Sequence, residues 1–483
     1  MKLFSELLEE TPVREVHGDA GIGALTYDSR SAGPGSCFFA VAGTQCDGHD
    51  FIPAAVAQGA AAVVCARLPE RLADGVAYAV VDDSAGAMAD MAAAFYGHPS
   101  RELKLVGVTG TNGKTTTATL LYDLVRALGH KAGLISTVVY KIDERTVEAT
   151  HTTPDTIRLN AMMREMVDAG CEYCFMECSS HAIVQERTRG LRFAGGLFSN
   201  ITHDHLDYHK TFAAYIKAKQ RFFDALPAGA FALTNIDDRN GRIMVQNTAA
   251  RTATYSLRSM ADFRCKIVEQ HLDGMLLRID GCEVWAALPG RFNAYNLLAV
   301  YGAARLLGFE RDEVLRVLSA LHSVAGRFEV VRAANGTTAV VDYAHTPDAL
   351  VNVLDAIRDV VGPQGTIITV VGAGGNRDRG KRPLMAAEAA ARSQRLVLTS
   401  DNPRDEEPAE IIAEMEAGLT DATRPKTLSI TDRREAIRTA LALAGKGDVV
   451  LIAGKGHETY QEVKGVKHHF DDREVVRDVF ASL

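Results

Sequence analysis

The sequence predicts an α/β protein of three domains, on three observations. At 483 residues the chain is too long for one core, and about 150 residues per domain gives about three. Residues 103–128 run from an apolar strand through Thr109-Gly110-Thr111-Asn112-Gly113-Lys114-Thr115-Thr116 into an amphipathic helix, where Leu121, Leu124, Val125 and Leu128 recur at spacings of three and four before Gly129. Beyond residue 328, four apolar strands each deliver a polar loop, the pattern of a parallel sheet with its loops at one edge. The domains are read as 1–100, 101–328 and 329–483.

Composition narrows the class. Apolar content of 47% with 24% charged residues describes a globular chain, and a net charge of −8 supplies no basic field for nucleic acid. No apolar run reaches the ~18 residues of a membrane span. Glu6, Glu9 and Glu10 behind Met1 do not make a signal peptide, so the expected location is the cytoplasm. The eight cysteines show no disulfide framework. Cys171, Cys174 and Cys178 read as buried small hydrophobes rather than a metal cluster.

The first domain carries strands at 37–41, 61–65 and 77–81, with polar loops Asp28-Ser29-Arg30 and Gly43-Thr44-Gln45-Cys46-Asp47 that are solvated turns or binding loops. In the second, the glycine loop is a phosphate cradle. Backbone N–H groups close on a polyanion, Lys114 adds a mobile cation, the Thr115 hydroxyl suits Mg²⁺, and the helix N-terminus adds its dipole. Val108 stands where the usual P-loop has its first glycine. A strand at 173–176 delivers Glu177 to its carboxyl end, where it caps a helix or holds a cation. The cluster His203-Asp204-His205-Leu206-Asp207-Tyr208-His209 lacks the partner spacing of a zinc site and suits a second metal beside ATP. Lys219 shares a helix face with Tyr215 and Phe222. It is a surface lysine, or a buried one that needs a phosphate partner or modification.

Asn293 and Arg327 sit at the turns that open a helix and close the domain. In the third domain the strands end in Asp342-Tyr343-Ala344-His345, in the glycine loop Gly372–Lys381 containing Arg377, in Asp401-Asn402-Pro403-Arg404, and in Gly454-Lys455-Gly456-His457-Glu458. The glycine loop is no dinucleotide fingerprint, because the third required glycine falls on Arg377. It reads as a basic pocket for carboxylates.

These motifs together resemble the Mur ligases of peptidoglycan synthesis, over essentially the whole chain. Gly110-Thr-Asn-Gly-Lys-Thr-Thr116, Asp204-His-Leu-Asp-Tyr-His209 with Lys219, Asp342-Tyr-Ala-His-Thr-Pro-Asp348 and Asp401-Asn-Pro-Arg404 carry the likeness. Lys210 stands where the family commonly has glycine. The resemblance implies a UDP-binding first domain, a P-loop ATPase second domain and a Rossmann-like third. The implied enzyme uses ATP to phosphorylate the D-Glu γ-carboxylate of UDP-MurNAc-L-Ala-D-Glu and then joins meso-2,6-diaminopimelate through the acyl phosphate.

By the same likeness, Gly110, Thr111, Asn112, Gly113, Lys114, Thr115, Thr116, Asn293, Arg327, Asp342 and His345 would hold ATP. Thr115, Glu177, His205 and an N-carboxylated Lys219 would hold Mg²⁺; Lys114, Glu177, His205 and Lys219 form the catalytic set. Ser29, Thr44, Gln45, Cys46, Thr152, Thr153, Ser179, Gln185 and Arg187 would hold the nucleotide dipeptide. Arg377, Asp401, Asn402, Pro403, Arg404, Gly454 and Glu458 would hold diaminopimelate, whose second carboxylate suits the Arg404 fork. No nucleic acid or membrane partner is expected, and the chain is taken as a monomer. The alternatives are L-lysine as acceptor, a folylpolyglutamate synthase-like ligase, and a non-catalytic nucleotide-binding protein.

Overall fold

Three sheets organise the chain in a computed structural model that describes residues 1–43, 46–149, 151–202 and 204–482. The first holds strands in the order Glu15–His17, Ala77–Val80, Ala62–Cys65, Ser36–Phe39 and Ala24–Thr26, with only the first of them antiparallel. Its inner strands are continuous apolar runs, as burial on both faces demands.

The second sheet has eleven strands, and seven neighbours at its centre run parallel. Lys104–Thr109 lies between Tyr173–Glu177 and Gly195–Phe198, and the register sets Glu177 opposite Val108. That pairing accounts for the missing glycine. Val108 is a fully buried strand residue, and the loop opens only at Gly110. The helix Lys114–Ala127 covers this sheet with Leu120, Leu121, Leu124 and Val125 fully buried, each stabilising the fold by about 1.5–3 kcal/mol. Helix Phe212–Asp224 packs Phe222 and Phe223 into the opposite layer, which carries Lys219 inward with them.

One flank of this sheet was not foreseen. Phe263–His271, Gly274–Ile279 and Cys282–Ala286 extend it as an antiparallel ribbon. At the other end, Val139–Ile142 and Arg145–Glu148 form a hairpin.

The third sheet runs Glu329–Arg332, Thr338–Asp342, Val449–Ala453, Ile367–Ala373, Arg395–Ser400, Thr427–Ser429, and is parallel after the first pair. Its four central strands end at one edge, which faces the glycine loop of the second sheet. The cysteines 171, 174 and 178 are buried in the second core. Among the described residues no helix is long and apolar enough to cross a membrane.

Candidate active site

A cleft of about 1420 Å³ lies between the carboxyl ends of the second and third sheets. At its floor, helix Lys114–Ala127 begins behind Gly113 with no side-chain cap, so its first N–H groups are open to an anion. The loop before it is braced from the next strand end. Asn112 N–H donates to Asn200 Oδ1 (2.9 Å), and Asn200 Nδ2 (3.0 Å) and Ser199 Oγ (2.6 Å) donate to the Asn112 carbonyl. Lys114 Nζ folds back onto the carbonyls of Gly110 (3.1 Å) and Thr111 (2.8 Å).

Lys219 is 1% exposed, and its Nζ donates to the same Gly110 carbonyl at 2.7 Å. Two ammonium groups thus converge on one oxygen. Burial and then Lys114 push the Lys219 pKa well below the usual lysine range.

Glu177 closes the floor from the adjacent strand. It is 1% exposed; its Oε1 accepts from Thr137 N–H at 2.6 Å, and its Oε2 has no hydrogen-bond partner among the described residues. A buried carboxylate oxygen left open beside Thr115 and Lys114 has the chemistry of a cation ligand. His205, in a left-handed conformation, sits 3.3 Å from Asp204 and edge-on to His181. Burial would raise the Asp204 pKa, but His205, His345, Lys381 and Lys114 together hold it low. Two of those four come from the third domain. No group of three or more His, Cys, Asp or Glu side chains is gathered as for a metal ion among the described residues.

One wall carries Thr152, Thr153, Ser179, Gln185 and Arg187. Arg187 donates to the Thr153 carbonyl and to Gln185 Oε1, both at 2.6 Å, and Thr153 Oγ1 donates to the Glu177 carbonyl at 2.7 Å. The opposite wall is the third domain's edge. Asp342 accepts from Phe328 and Ala344 N–H, each at 2.7 Å, and burial raises its pKa. Arg327 crosses to Thr115 Oγ1 at 3.0 Å and lies over the Tyr343 ring. His345 donates from Nδ1 to the Tyr343 carbonyl at 2.8 Å, and burial with Lys381 lowers its pKa to about 4, so it is neutral at pH 7.

The far end is built from Asn402, Glu458 and Lys455. Lys455 Nζ reaches Glu458 Oε2 (3.0 Å) and Asn402 Oδ1 (3.1 Å), while Asn402 Nδ2 donates to Glu458 Oε2 (2.7 Å). Arg377, Asp401, Arg404 and Gly454 complete that end.

Several expected residues lie elsewhere. Gly110, Lys219, Asn293 and Pro403 are packed behind the lining rather than in it. Asn293 uses its amide internally, donating to the Pro289 carbonyl (2.8 Å) and accepting from Asn296 (3.1 Å); Asn296, one helical turn on, is the one that lines the cleft. Ser29 and Cys46 do not line it, and Thr44 and Gln45 lie outside the described residues. Asn200, Asn296 and Lys455 were overlooked as site residues. The spacing of Asn293 and Asn296 on one helix face, and the Gly-Lys-Gly loop around Lys455, were the available signals.

Residues 21–96 match the Mur ligase family catalytic domain, 108–304 the Mur ligase middle domain, and 326–456 the Mur ligase glutamate ligase domain. A Bacteroides fragilis protein named UDP-N-acetylmuramoyl-L-alanyl-D-glutamate–2,6-diaminopimelate ligase is 57% identical over 482 residues, covering 100% of this chain and 99% of its own. A solved structure of a ligase of that name superposes with a TM-score of 0.67 at 33% identity, over 95% of each chain. A Mycobacterium tuberculosis folylpolyglutamate synthase complexed with ADP shares the fold alone, with a TM-score of 0.59 at 16% identity over 76% of this chain and 91% of its own.

Proposed function

The chain belongs to the Mur ligase family, and we propose that it uses ATP to join 2,6-diaminopimelate to the D-Glu γ-carboxylate of UDP-MurNAc-L-Ala-D-Glu. The observation that carries this reading is a single cleft with an uncapped helix N-terminus and Lys114 at its floor and the Arg404 fork at its far end. A phosphoryl donor and an amino acid with a second carboxylate therefore meet in one enclosure.

Phosphoryl transfer needs alignment and charge neutralisation more than a nucleophilic side chain. The open N–H groups at Gly113–Thr116 and the Lys114 ammonium would align the ATP phosphates; Lys114 must swing off its carbonyls to do so. The open Glu177 Oε2, the Thr115 hydroxyl and His205 suit Mg²⁺, which when bound offsets phosphate charge. Lys219 carrying a carboxylate would remove the clash of two cations on the Gly110 carbonyl and add a further oxygen ligand. Arg327, Asp342 and His345 would meet the nucleotide from the third domain. The Thr152 to Arg187 wall would orient the muramoyl dipeptide so that its γ-carboxylate attacks the terminal phosphorus.

The uridine end would rest on the first domain near Ser29, Thr44, Gln45 and Cys46. Tyr27, two residues before Ser29, is close enough to Arg187 and Asp155 to feel both charges, which supports that route. The amine of the acceptor then attacks the acyl carbon, phosphate leaves, and an amide remains. The working divisions of the chain are 1–100, 101–328 and 329–483.

Phosphate release by the pure protein with ATP, Mg²⁺, the nucleotide dipeptide and either acceptor tests this. Release with meso-diaminopimelate is expected to exceed that with L-lysine by ~30-fold or more, because lysine has no second carboxylate to meet the open end of the Arg404 guanidinium. No release with diaminopimelate refutes the reading; equal rates refute the role of Arg404.

A further inference from the structure

Arg404 is held by a neighbour that no sequence motif includes. Its backbone is left-handed (φ 52°) and is stitched to the small hairpin of Tyr460–Val463 and Val466–His469: Arg404 N–H donates to the Glu462 carbonyl (3.0 Å), and Lys464 N–H donates to the Arg404 carbonyl (2.7 Å). The side chain is gripped from two directions. Nη1 donates to the Gly375 carbonyl at 2.8 Å, and Nε faces Glu462 Oε2 at 3.4 Å. The Gly375 side is fixed by close packing, since a Cβ there would stand 1.8 Å from the Pro403 carbonyl oxygen. The glycine loop that carries Arg377 is also the surface on which Arg404 rests.

A guanidinium has five N–H groups. Here one N–H on Nη1 is hydrogen-bonded and Nε faces the Glu462 carboxylate in an ion pair, while Nη2 has no hydrogen-bond partner among the described residues. A carboxylate can then be met only across the Nη1–Nη2 end. Glu462 does not line the cleft; its carboxylate faces Arg404, and its backbone N–H donates to Asn402 Oδ1 (2.9 Å). Resting on the ligase reading above, we infer that Glu462 is a positioning residue for acceptor choice, which turns the two-nitrogen end of Arg404 toward the second carboxylate of the acceptor.

A charged partner on Nε spares the acceptor the cost of ordering a long side chain. Losing that order weakens binding by up to about tenfold. The effect falls on an acceptor with a distal carboxylate and not on one without.

The test is steady-state kinetics on the full chain for E462A, E462Q and E462K, with meso-diaminopimelate and with L-lysine at saturating ATP and nucleotide dipeptide. For E462A the KM for diaminopimelate is expected to rise about tenfold. Its kcat, the KM for ATP and the lysine kcat/KM stay near wild type, so the preference ratio narrows by the same factor. E462Q keeps an oxygen facing Nε and retains most of the preference. E462K sets a like charge there and loses at least as much as E462A. An unchanged ratio in both E462A and E462K, or an equal fall with both acceptors, overturns the inference while the ligase reading stands. Wild-type protein that releases no phosphate with diaminopimelate overturns both.

Discussion

Two lysines on one carbonyl are an unstable arrangement of charge, and Lys219 is the one that yields. It is buried with no carboxylate in hydrogen-bond contact among the described residues, and burial and Lys114 both favour its neutral amine. A neutral amine can add to the carbon of CO₂ and release a proton, which would convert a disfavoured cation into an anion beside Lys114. Lys219→Ala is therefore expected to lose ~100-fold or more in ligation rate, the scale of a lost electrostatic group in an enclosed site. Short carboxylic acids such as formate or acetate, small enough to enter the space left, should restore part of it. Phosphate-release rates with and without added acid check this, and a variant of undiminished activity would contradict it. Tyr215 and Phe222 on the same helix left Lys219 either buried or at the surface, and the fold places it inside. The shared carbonyl was not readable, because Gly110 lies 109 residues away.

At the scale of elements, the helix Pro347–Val361 reaches from the third sheet to the glycine loop of the second. Its first-turn Asp348 accepts from Asn112 Nδ2 (2.9 Å), Thr202 Oγ1 (3.2 Å) and Asn352 Nδ2 (3.2 Å). Burial raises the carboxyl pKa, and these three bonds offset that rise only in part. Hydrogen bonds to charged groups are worth ~1.5–3 kcal/mol, so Asp348→Ala should raise the KM for ATP by about 10- to 100-fold as the phosphate loop loses its brace. Asp348→Asn, which keeps one acceptor oxygen, should lose less; initial-rate titration with ATP measures both. The strands that carry this helix and the Asp342, Asp401 and Gly454 loops were legible, because each is an unbroken apolar run stopped by polar residues. The ribbon of Phe263–His271, Gly274–Ile279 and Cys282–Ala286 was not. Phe263–His271 and Cys282–Ala286 set exposed Arg264, Lys266, Glu269 and Glu283 among their buried residues and so show no unbroken apolar run. Nor could local pattern join Asp348 to Asn112, or Glu462 to Arg404, since both are products of how the domains and hairpin pack.

For the whole molecule, the floor and the far end of the cleft meet at the junction around Gly326. Its backbone is left-handed (φ 66°), and a Cβ there would stand 2.1 Å from His457 N and 2.3 Å from the Gly456 carbonyl carbon. On one side the next two residues reach the nucleotide floor and the third sheet, Arg327 to Thr115 Oγ1 and Phe328 N–H to Asp342. On the other, Gly456 and His457 continue the loop that holds Lys455 and Glu458 against Asn402. The two ends therefore share one backbone contact with no room for a methyl group. Gly326→Ala would have to move one of them, and a displacement of ~1 Å at a reacting geometry costs about 100-fold. The expected outcome is a fall in kcat of that order together with a rise in KM for both ATP and acceptor. Gly308→Ala is the control, because Gly308 is also left-handed (φ 99°) but has nothing within 4 Å of a new Cβ. It carries only the local strain of ~1–2 kcal/mol and should lower the unfolding temperature while leaving both KM values unchanged. If the two variants lose activity alike, the junction couples nothing and Gly326 serves the fold alone.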